Sequence, residues 1–179
     1  VSGSGNVAQY AVEKAMQLGA KVITVSDSSG TIIDEDGFTP AKLAILMEVK
    51  NHLYGRVSDY AARPGVKFEA GVRPWHVKVD VAMPCATQNE LDEKDAKTLI
   101  RNGVLCVAEG ANMPSTIEAA KAFEAAGVLY APGKASNAGG VATSALEMQQ
   151  NASRDSWSFE HTEKRLHQIM RNIHDLCYE

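Results

Sequence analysis

One pattern recurs three times along the chain and limits the folds open to it. Each copy has an amphipathic stretch, a glycine after it, and a short apolar run. A glycine past a helix can take the left-handed conformation that turns the chain back, and short unalternating apolar runs are typical of buried parallel strands. The units are Val7 to Leu18 with Lys21 to Val25, Leu91 to Arg101 with Val104 to Ala108, and Thr116 to Ala126 with Val128 to Tyr130.

These units predict an α/β fold with a doubly wound, mainly parallel sheet and helices on both faces. Another apolar run, Val77 to Met83, adds a strand ahead of the second unit. Val1 leads directly into a glycine turn, so we expect the first strand to be largely missing from the chain. A length of 179 residues fits a single domain, predicted over residues 1–179.

Charge and cysteine content argue against several classes of protein. The net charge of −4 is spread along the chain, whereas a nucleic-acid binder shows a clustered basic face. No apolar run approaches the roughly 20 residues that cross a membrane. Cys85, Cys106 and Cys177 have no paired spacing and are predicted to be free thiols in a reducing, cytoplasmic setting. His167 and His174 lie too far apart along their predicted helix to indicate a metal site.

The segment from Gly3 to Ala8 reads G-x-G-x-x-A and directly precedes the first predicted helix. In this fingerprint the first glycine permits a tight turn, and the second lets a diphosphate approach the backbone. The small residue at the third position allows close packing of helix and strand, and the helix start offers N–H groups to the phosphates. The motif predicts a Rossmann-like dinucleotide site with Gly3, Ser4, Gly5, Asn6 and Val7 as cofactor-binding residues.

A polar segment follows the next predicted strand, about 20 residues beyond the glycine turn, where such folds recognise the ribose. Asp27 can accept hydrogen bonds from a free ribose diol and repels a 2′-phosphate, which favours NAD. Against this, Ser28 and Ser29 can donate hydrogen bonds, and Lys50 or Arg56 can reach a phosphate, which favours NADP. Both cations are equally well interpreted as solvated surface charges. Spacing alone therefore leaves the choice of dinucleotide open.

Three later loops follow the predicted strands and are rich in amides, hydroxyls and glycines. Because ligands of open parallel sheets bind at the carboxyl ends of strands, these loops are expected to converge on one crevice. Their chemistry suits a carboxamide, a ribose and a small polar substrate. The loops are Pro84 to Glu90, Ala108 to Pro114 and Pro132 to Ser144.

These loops, together with the glycine turn and the segment Ser26 to Gly30, closely resemble the glutamate dehydrogenases. The resemblance covers essentially the whole chain, and matches such as Pro84 to Glu90 (PCATQNE) are highly specific. It implies interconversion of glutamate with 2-oxoglutarate and ammonia, with hydride passing to or from a nicotinamide. The segment Ser26 to Gly30 resembles the NADP-dependent branch, in which Lys50 and Arg56 match positions suited to the 2′-phosphate, so NAD is the lesser candidate.

The resemblance also implies roles within the three loops. Ala86, Thr87 and Gln88 are expected to border the nicotinamide ribose, Asn112 and Asn137 to hold the nicotinamide or its ribose, Val141 to pack against the substrate carbon chain, and Ser144 to bind its side-chain carboxylate. Without the resemblance, Ser144 reads as an ordinary helix-interior serine, and the paired glycines before it as an aid to starting a helix.

In this family an N-terminal domain supplies the lysines and the aspartate that bind substrate and move protons. None of its segments is recognisable here, so no catalytic residue is expected in the chain, and we predict negligible turnover from it alone. The resemblance further implies a homo-hexamer for the full-length protein.

Two other functions remain open. One is an NAD-dependent dehydrogenase of leucine, phenylalanine or valine, although the polar Ser144 suits a carboxylate better than an apolar side chain. The other is a dinucleotide-sensing module without catalysis, because a fold alone does not fix function.

Overall fold

The computed structural model describes residues 1–178. The helices are α1 (Asn6–Gln17), α2 (Pro40–Met47), α3 (Val57–Tyr60), α4 (Glu93–Arg101), α5 (Ile117–Ala125), α6 (Gly133–Ser136), α7 (Gly139–Ser153) and α8 (Phe159–Tyr178), with a π-helix at Glu48–His52 and a 3-10 helix at Pro74–His76. The strands are β1 (Thr24–Asp27), β2 (Gly30–Ile33), β3 (Lys67–Ala70), β4 (Val81–Ala82), β5 (Cys106–Ala108) and β6 (Leu129–Ala131). The α/β class and the three predicted helix–strand units are confirmed.

The strands form two three-stranded sheets of opposite character. The sheet β4-β5-β6 is parallel, as predicted, with Val81 opposite Cys106 and Cys106 opposite Leu129. The sheet β1-β2-β3 is antiparallel, so the prediction of a mainly parallel sheet is wrong for this half. The reason is local, because the chain reverses directly after Asp27 into β2 instead of crossing over through a helix.

The N-terminal residues 1–3 connect the two sheets. The N–H of Ser2 donates to the carbonyl oxygen of Met83, just after β4, at an N···O distance of 3.1 Å. On the other side, the N–H of Ser26 in β1 donates to the carbonyl oxygen of Gly3, also at 3.1 Å. This short segment therefore occupies the position between β1 and β4.

Each half has its own hydrophobic core. In the first half, α1, α2 and α3 pack onto β1 and β2 through buried side chains that include Val12, Val25, Ile32, Leu46 and Tyr60. In the second half, α4 and α5 pack onto the parallel sheet through Ala82, Leu99, Val107, Ala119 and Phe123. These cores hold the strand ends in place, and with them the loops that follow.

The parallel sheet is covered on one face only within the described residues. Ala82 and Val107 point into the core beneath α4 and α5, whereas Val81 is 48% exposed and Leu129 is 69% exposed. Within residues 1–178, the predicted helix cover of this sheet is therefore observed on the face that packs against α4 and α5.

Candidate functional site

Gly3 occupies a position that only glycine fits. Its φ is +83°, and a Cβ atom there would lie 2.8 Å from the carbonyl oxygen of Cys85. Ser26 holds the turn from the other side, because its Oγ accepts a hydrogen bond from the N–H of Gly3 at 2.9 Å. The glycine turn is thus fixed between the end of β1 and the loop after β4.

Gly5 is the N-cap of α1 and faces open space. No atom lies within 4 Å of a Cβ built on it, no side chain caps the helix, and the first turn carries no acidic residue. Asn6 and Val7 are exposed, while Ser4 is buried and its carbonyl oxygen accepts from Gln9. The N–H groups of the first turn have no partner within a helix, so this end of α1 is suited to a phosphate group.

A cleft of about 750 Å³ opens beside the start of α1. Its walls are the loops that follow β4, β5 and β6, together with the first turn of α7. The predicted residues that line it are Val7, Ala86, Thr87, Gln88, Asn112, Asn137 and Val141. The structure therefore brings the three polar loops together, as their positions at strand ends led us to expect.

Asn137 joins two walls of this cleft. Its Nδ2 donates to Oδ1 of Asn112 at 2.9 Å and to the carbonyl oxygen of Ala111 at 3.0 Å. Within residues 1–178 the remaining Oδ1 of Asn137 and Nδ2 of Asn112 make no hydrogen bond. The pair thus presents one acceptor and one donor, which is the complement of a carboxamide.

Val141 and Ser144 lie one turn apart on α7 and share a face of that helix. Val141 is 70% exposed and forms part of the cleft wall, whereas Ser144 is exposed just beyond the lining residues. The Oγ of Ser144 donates to the carbonyl oxygen of Gly140 at 3.3 Å, an ordinary helix-interior contact. Because Ser144 is exposed, its hydroxyl can also rotate outward and is accessible to a ligand.

A buried carboxylate lies behind the loop after β4. Glu90 is only 2% exposed, and its Oε1 accepts from the N–H of Ala86 and the Oγ of Ser2, both at 2.9 Å. Burial raises the pKa of Glu90, and these hydrogen bonds oppose that effect. The indole of Trp75 donates to the backbone carbonyl oxygen of Glu90 at 3.2 Å. The loop bearing Ala86 to Gln88 is therefore held from the core side.

Cys85 also borders the cleft, but it is not an activated nucleophile. Burial raises the pKa of its thiol to about 11, so the thiol stays protonated at neutral pH. All three cysteines are free, as predicted. The Sγ of Cys85 fills the space above Gly110, where a Cβ atom would lie 2.5 Å away.

Asp27, at the end of β1, accepts four hydrogen bonds from the protein. Its Oδ1 accepts from the N–H and the Oγ of Ser29 at 2.8 and 2.6 Å, and its Oδ2 accepts from Lys50 Nζ and the N–H of Val57, both at 3.0 Å. Burial alone would raise the pKa of Asp27, but these hydrogen bonds outweigh it and hold the pKa below its usual value. The acceptor positions that a ribose diol requires are thus taken by the protein's own donors.

Lys50 and Arg56 play different parts in this cluster. Lys50 is not a solvated surface charge, because its side chain is 15% exposed and its Nζ also donates to the carbonyl oxygen of Gly55 at 3.0 Å. Arg56 is exposed, and its Nη1 donates to the Oγ of Ser28 at 2.7 Å. Ser28 and Arg56 therefore form a small positive edge beside the neutralised Asp27.

The cleft also has a charged lining residue that was not predicted from the sequence. Lys134, in α6, lines the cleft beside Asn137, although it lies in the glycine-rich segment for which only Asn137, Val141 and Ser144 were predicted as site residues. Across residues 1–178 there is no cluster of three or more His, Cys, Asp or Glu side chains that could hold a metal ion. None of the helices in the described part of the chain has the length and apolar character to cross a membrane.

Comparison with known proteins places this geometry in context. Residues 1–179 match the family described as Glutamate/Leucine/Phenylalanine/Valine dehydrogenase. The chain is 64% identical to a protein of Salmonella typhimurium and 63% identical to one of Escherichia coli, both named NADP-specific glutamate dehydrogenase, over all of this chain and 40% of each relative. It superimposes on the solved structure of Plasmodium falciparum glutamate dehydrogenase with a TM-score of 0.92 and 46% identity, over 96% of this chain and 37% of that one.

Proposed function

The chain belongs to the glutamate/leucine/phenylalanine/valine dehydrogenase family, and from this premise we propose that residues 1–179 form the dinucleotide-binding domain of an NADP-dependent glutamate dehydrogenase. The whole protein would convert glutamate to 2-oxoglutarate and ammonia, and run the reverse reductive amination. Two relatives above 60% identity that carry this name support the proposal. Because the chain spans 40% of their length, the activity itself is assigned to the full-length protein.

The saturated carboxylate of Asp27 is the observation that carries the choice of NADP. An aspartate at this position normally selects NAD by binding the ribose diol. Here both carboxylate oxygens are engaged by Ser29, Lys50 and Val57, and the ammonium of Lys50 compensates the negative charge. The guanidinium of Arg56, 2.7 Å from Ser28 Oγ, is then available to a 2′-phosphate.

The diphosphate and the nicotinamide of the cofactor are assigned to two further parts of the site. We assign the diphosphate to the open N-terminus of α1 at Gly5, and the nicotinamide to the cleft lined by Ala86 to Gln88. The complementary acceptor and donor of Asn137 and Asn112 suit its carboxamide. When bound there, the cofactor would accept or supply the hydride, and these residues would orient it.

Substrate is assigned to the α7 side of the cleft. Val141 offers an apolar surface for the carbon chain, and Ser144, one turn further, offers a hydroxyl for the side-chain carboxylate. No residue of this chain is assigned a proton-transfer role, because the expected lysines and aspartate belong to the other domain. We further propose a hexameric assembly for the full-length protein.

The doubly wound, Rossmann-like arrangement is also part of the proposal. Residues 1–3 hydrogen-bond both toward β1 and toward the end of β4, as the tail of a central strand would. The glycine turn would then lie at the point where strand order reverses, which is where such folds bind dinucleotides.

The two rival functions are separated by one assay series on the full-length protein. Oxidation of NADPH and NADH is followed with ammonia and either 2-oxoglutarate or the oxo acids of leucine, phenylalanine and valine. We expect turnover with 2-oxoglutarate and NADPH to exceed every other combination. Higher kcat/KM with a branched-chain or aromatic oxo acid would favour the related dehydrogenases, and tight NADPH binding without turnover would favour a sensing module.

A further inference from the structure

A second buried carboxylate, Glu109, lies directly behind the Asn112–Asn137 pair. Glu109 follows β5 and is 4% exposed. Its Oε1 accepts from the Oη of Tyr130 at 2.7 Å and from the N–H of Ser115 at 3.3 Å, while its Oε2 accepts from the N–H of Gly133 at 2.7 Å. Both oxygens are therefore occupied by donors.

These donors come from three separate parts of the chain. Ser115 ends the loop after β5, Tyr130 lies in β6, and Gly133 is the first residue of α6. The hydroxyl of Ser136 in α6 adds a hydrogen bond to the backbone carbonyl oxygen of Glu109. A single buried side chain thus ties the loop that carries Asn112 to the helix that precedes Asn137.

The contact requires a carboxylate and close approach. A neutral amide has one accepting oxygen, so its NH₂ group would face an N–H or O–H donor on one side. Burial and the hydrogen bond to Glu109 raise the pKa of Tyr130, which keeps its hydroxyl protonated and able to donate. At Gly133 a Cβ atom would lie 2.9 Å from the carbonyl oxygen of Ala111, so α6 starts against the Asn112 loop itself.

We propose that Glu109 is a positioning residue for hydride transfer: it fixes the relative placement of Asn112 and Asn137, and through them the nicotinamide, without touching the cofactor. This inference rests on the proposed function, because it takes the cleft as the nicotinamide site. Misplacement of reacting groups by about 1 Å can cost on the order of 100-fold in rate, so a buried clamp at this point has a large effect on turnover.

The test uses the full-length protein and ligands that separate the two halves of the cofactor. Glu109→Gln is expected to lower kcat at least about tenfold. It should also reduce the fluorescence gain of NADPH on binding, while the Kd for 2′-phospho-ADP-ribose, which lacks the nicotinamide, changes by less than about twofold. Tyr130→Phe removes one of the three donors to the Glu109 carboxylate and should lower kcat by a smaller factor, also with unchanged analogue binding.

Val107→Ala is the matched control, because Val107 is a fully buried core residue of β5, the strand that precedes Glu109, and makes none of these contacts. It should lower the melting temperature yet leave kcat and NADPH fluorescence at wild-type values. Wild-type kcat and fluorescence in both Glu109→Gln and Tyr130→Phe would overturn the inference while leaving the proposed function standing. If Glu109→Gln does not fold, kcat and NADPH fluorescence of Tyr130→Phe test the inference by themselves. A wild-type protein that neither binds the analogue nor turns over would overturn both proposals.

Discussion

The Nζ atom of Lys50 lies 3.0 Å from Oδ2 of Asp27, and only 15% and 10% of the two side chains remain exposed. Shielding from solvent strengthens this pair relative to a surface ion pair. The acidic charge that would repel a phosphorylated ribose is thereby compensated within the protein. Because Lys50 compensates Asp27, the guanidinium of Arg56 beside Ser28 makes the net charge of this cluster positive.

Arg56→Ala should discriminate between the two cofactors. We expect the binding free energy of NADPH to become less favourable by about 1.5–3 kcal/mol, the range for a hydrogen bond to a charged group. The affinity for NADH should change little, because NADH has no 2′-phosphate. Titration of the full-length variant with both cofactors measures the difference, and Arg101→Ala, an exposed arginine at the end of α4, serves as the control. An equal loss of affinity for NADPH and NADH would contradict the assignment of Arg56 to the 2′-phosphate.

Asp27→Asn should change how stability depends on pH. The folded pKa of Asp27 lies below its unfolded value of about 3.9, so its contribution is present above that pH and is lost as pH falls through the folded pKa. At pH 7 the variant should be less stable by about 1–3 kcal/mol, and the gap should narrow as the pH falls below about 5 and through the lowered pKa of folded Asp27. Calorimetric melting of the full-length proteins measures this gap. The exposed Asp36→Asn is the control, and a gap independent of pH would contradict the role of the ion pair.

Gly3→Ala and Gly5→Ala should separate folding from binding. At Gly3 the positive φ alone costs about 1–2 kcal/mol for an alanine, and the added Cβ meets the Cys85 carbonyl oxygen, so this variant should melt well below wild type. At Gly5 nothing lies within 4 Å, and the loss of stability should stay below about 1 kcal/mol. The Gly5 methyl nevertheless points into the space assigned to the diphosphate, so NADPH affinity should fall about tenfold or more. Unchanged NADPH affinity in Gly5→Ala would place the diphosphate elsewhere.

The convergence of the cleft loops was predictable, because the carboxyl ends of parallel strands meet at one sheet edge. Asn112 and Asn137 come from loops after β5 and β6 and are indeed within 2.9 Å of each other. Which strands pair with each other was harder to predict from the sequence. No strand was predicted for Gly30–Ile33 or Lys67–Ala70, since each is a run of only four residues and the pairing of the two with each other joins residues distant in sequence.

The side-chain networks were not predictable from local pattern. Asp27 receives hydrogen bonds from residues far along the chain, Lys50 and Val57, so its availability to a ligand depends on tertiary placement. Glu90 and Glu109 stand in polar loops where a glutamate is normally exposed, and only the fold shows that both are buried. Lys134 was overlooked for another reason. It lies in a segment that was predicted to be a loop, and an exposed lysine in a loop rarely indicates a site.

Gly110→Ala should destabilise the protein through one identifiable contact. The backbone of Gly110 has no positive φ, but a Cβ atom there would lie 2.5 Å from Sγ of Cys85. Overpacking of this kind costs about 1–3 kcal/mol. The double variant Gly110→Ala with Cys85→Ala removes the opposing sulfur, so its melting temperature should recover toward that of Cys85→Ala alone. Additive losses in the double variant would mean that the strain arises from another neighbour.

Ser144→Ala tests the assignment of substrate to α7. The hydroxyl lies one turn beyond Val141 and hydrogen-bonds only the carbonyl oxygen of Gly140 among residues 1–178, so its removal should leave the melting temperature nearly unchanged. If the hydroxyl binds the side-chain carboxylate of the substrate, kcat/KM for 2-oxoglutarate should fall roughly 10- to 150-fold. This factor corresponds to a loss of about 1.5–3 kcal/mol of transition-state stabilisation. The Kd for NADPH should stay at its wild-type value, because the cofactor is assigned to the opposite wall.

Thr143→Ala is the matched control for this variant. Thr143 is the preceding residue of α7, is exposed, and donates in the same way to the carbonyl oxygen of Gly139 at 2.8 Å, yet it points about 100° around the helix from Ser144. It should therefore leave kcat/KM for 2-oxoglutarate unchanged. Equal losses in both variants would indicate that α7 itself is perturbed, and no loss in Ser144→Ala would move the carboxylate contact to another residue.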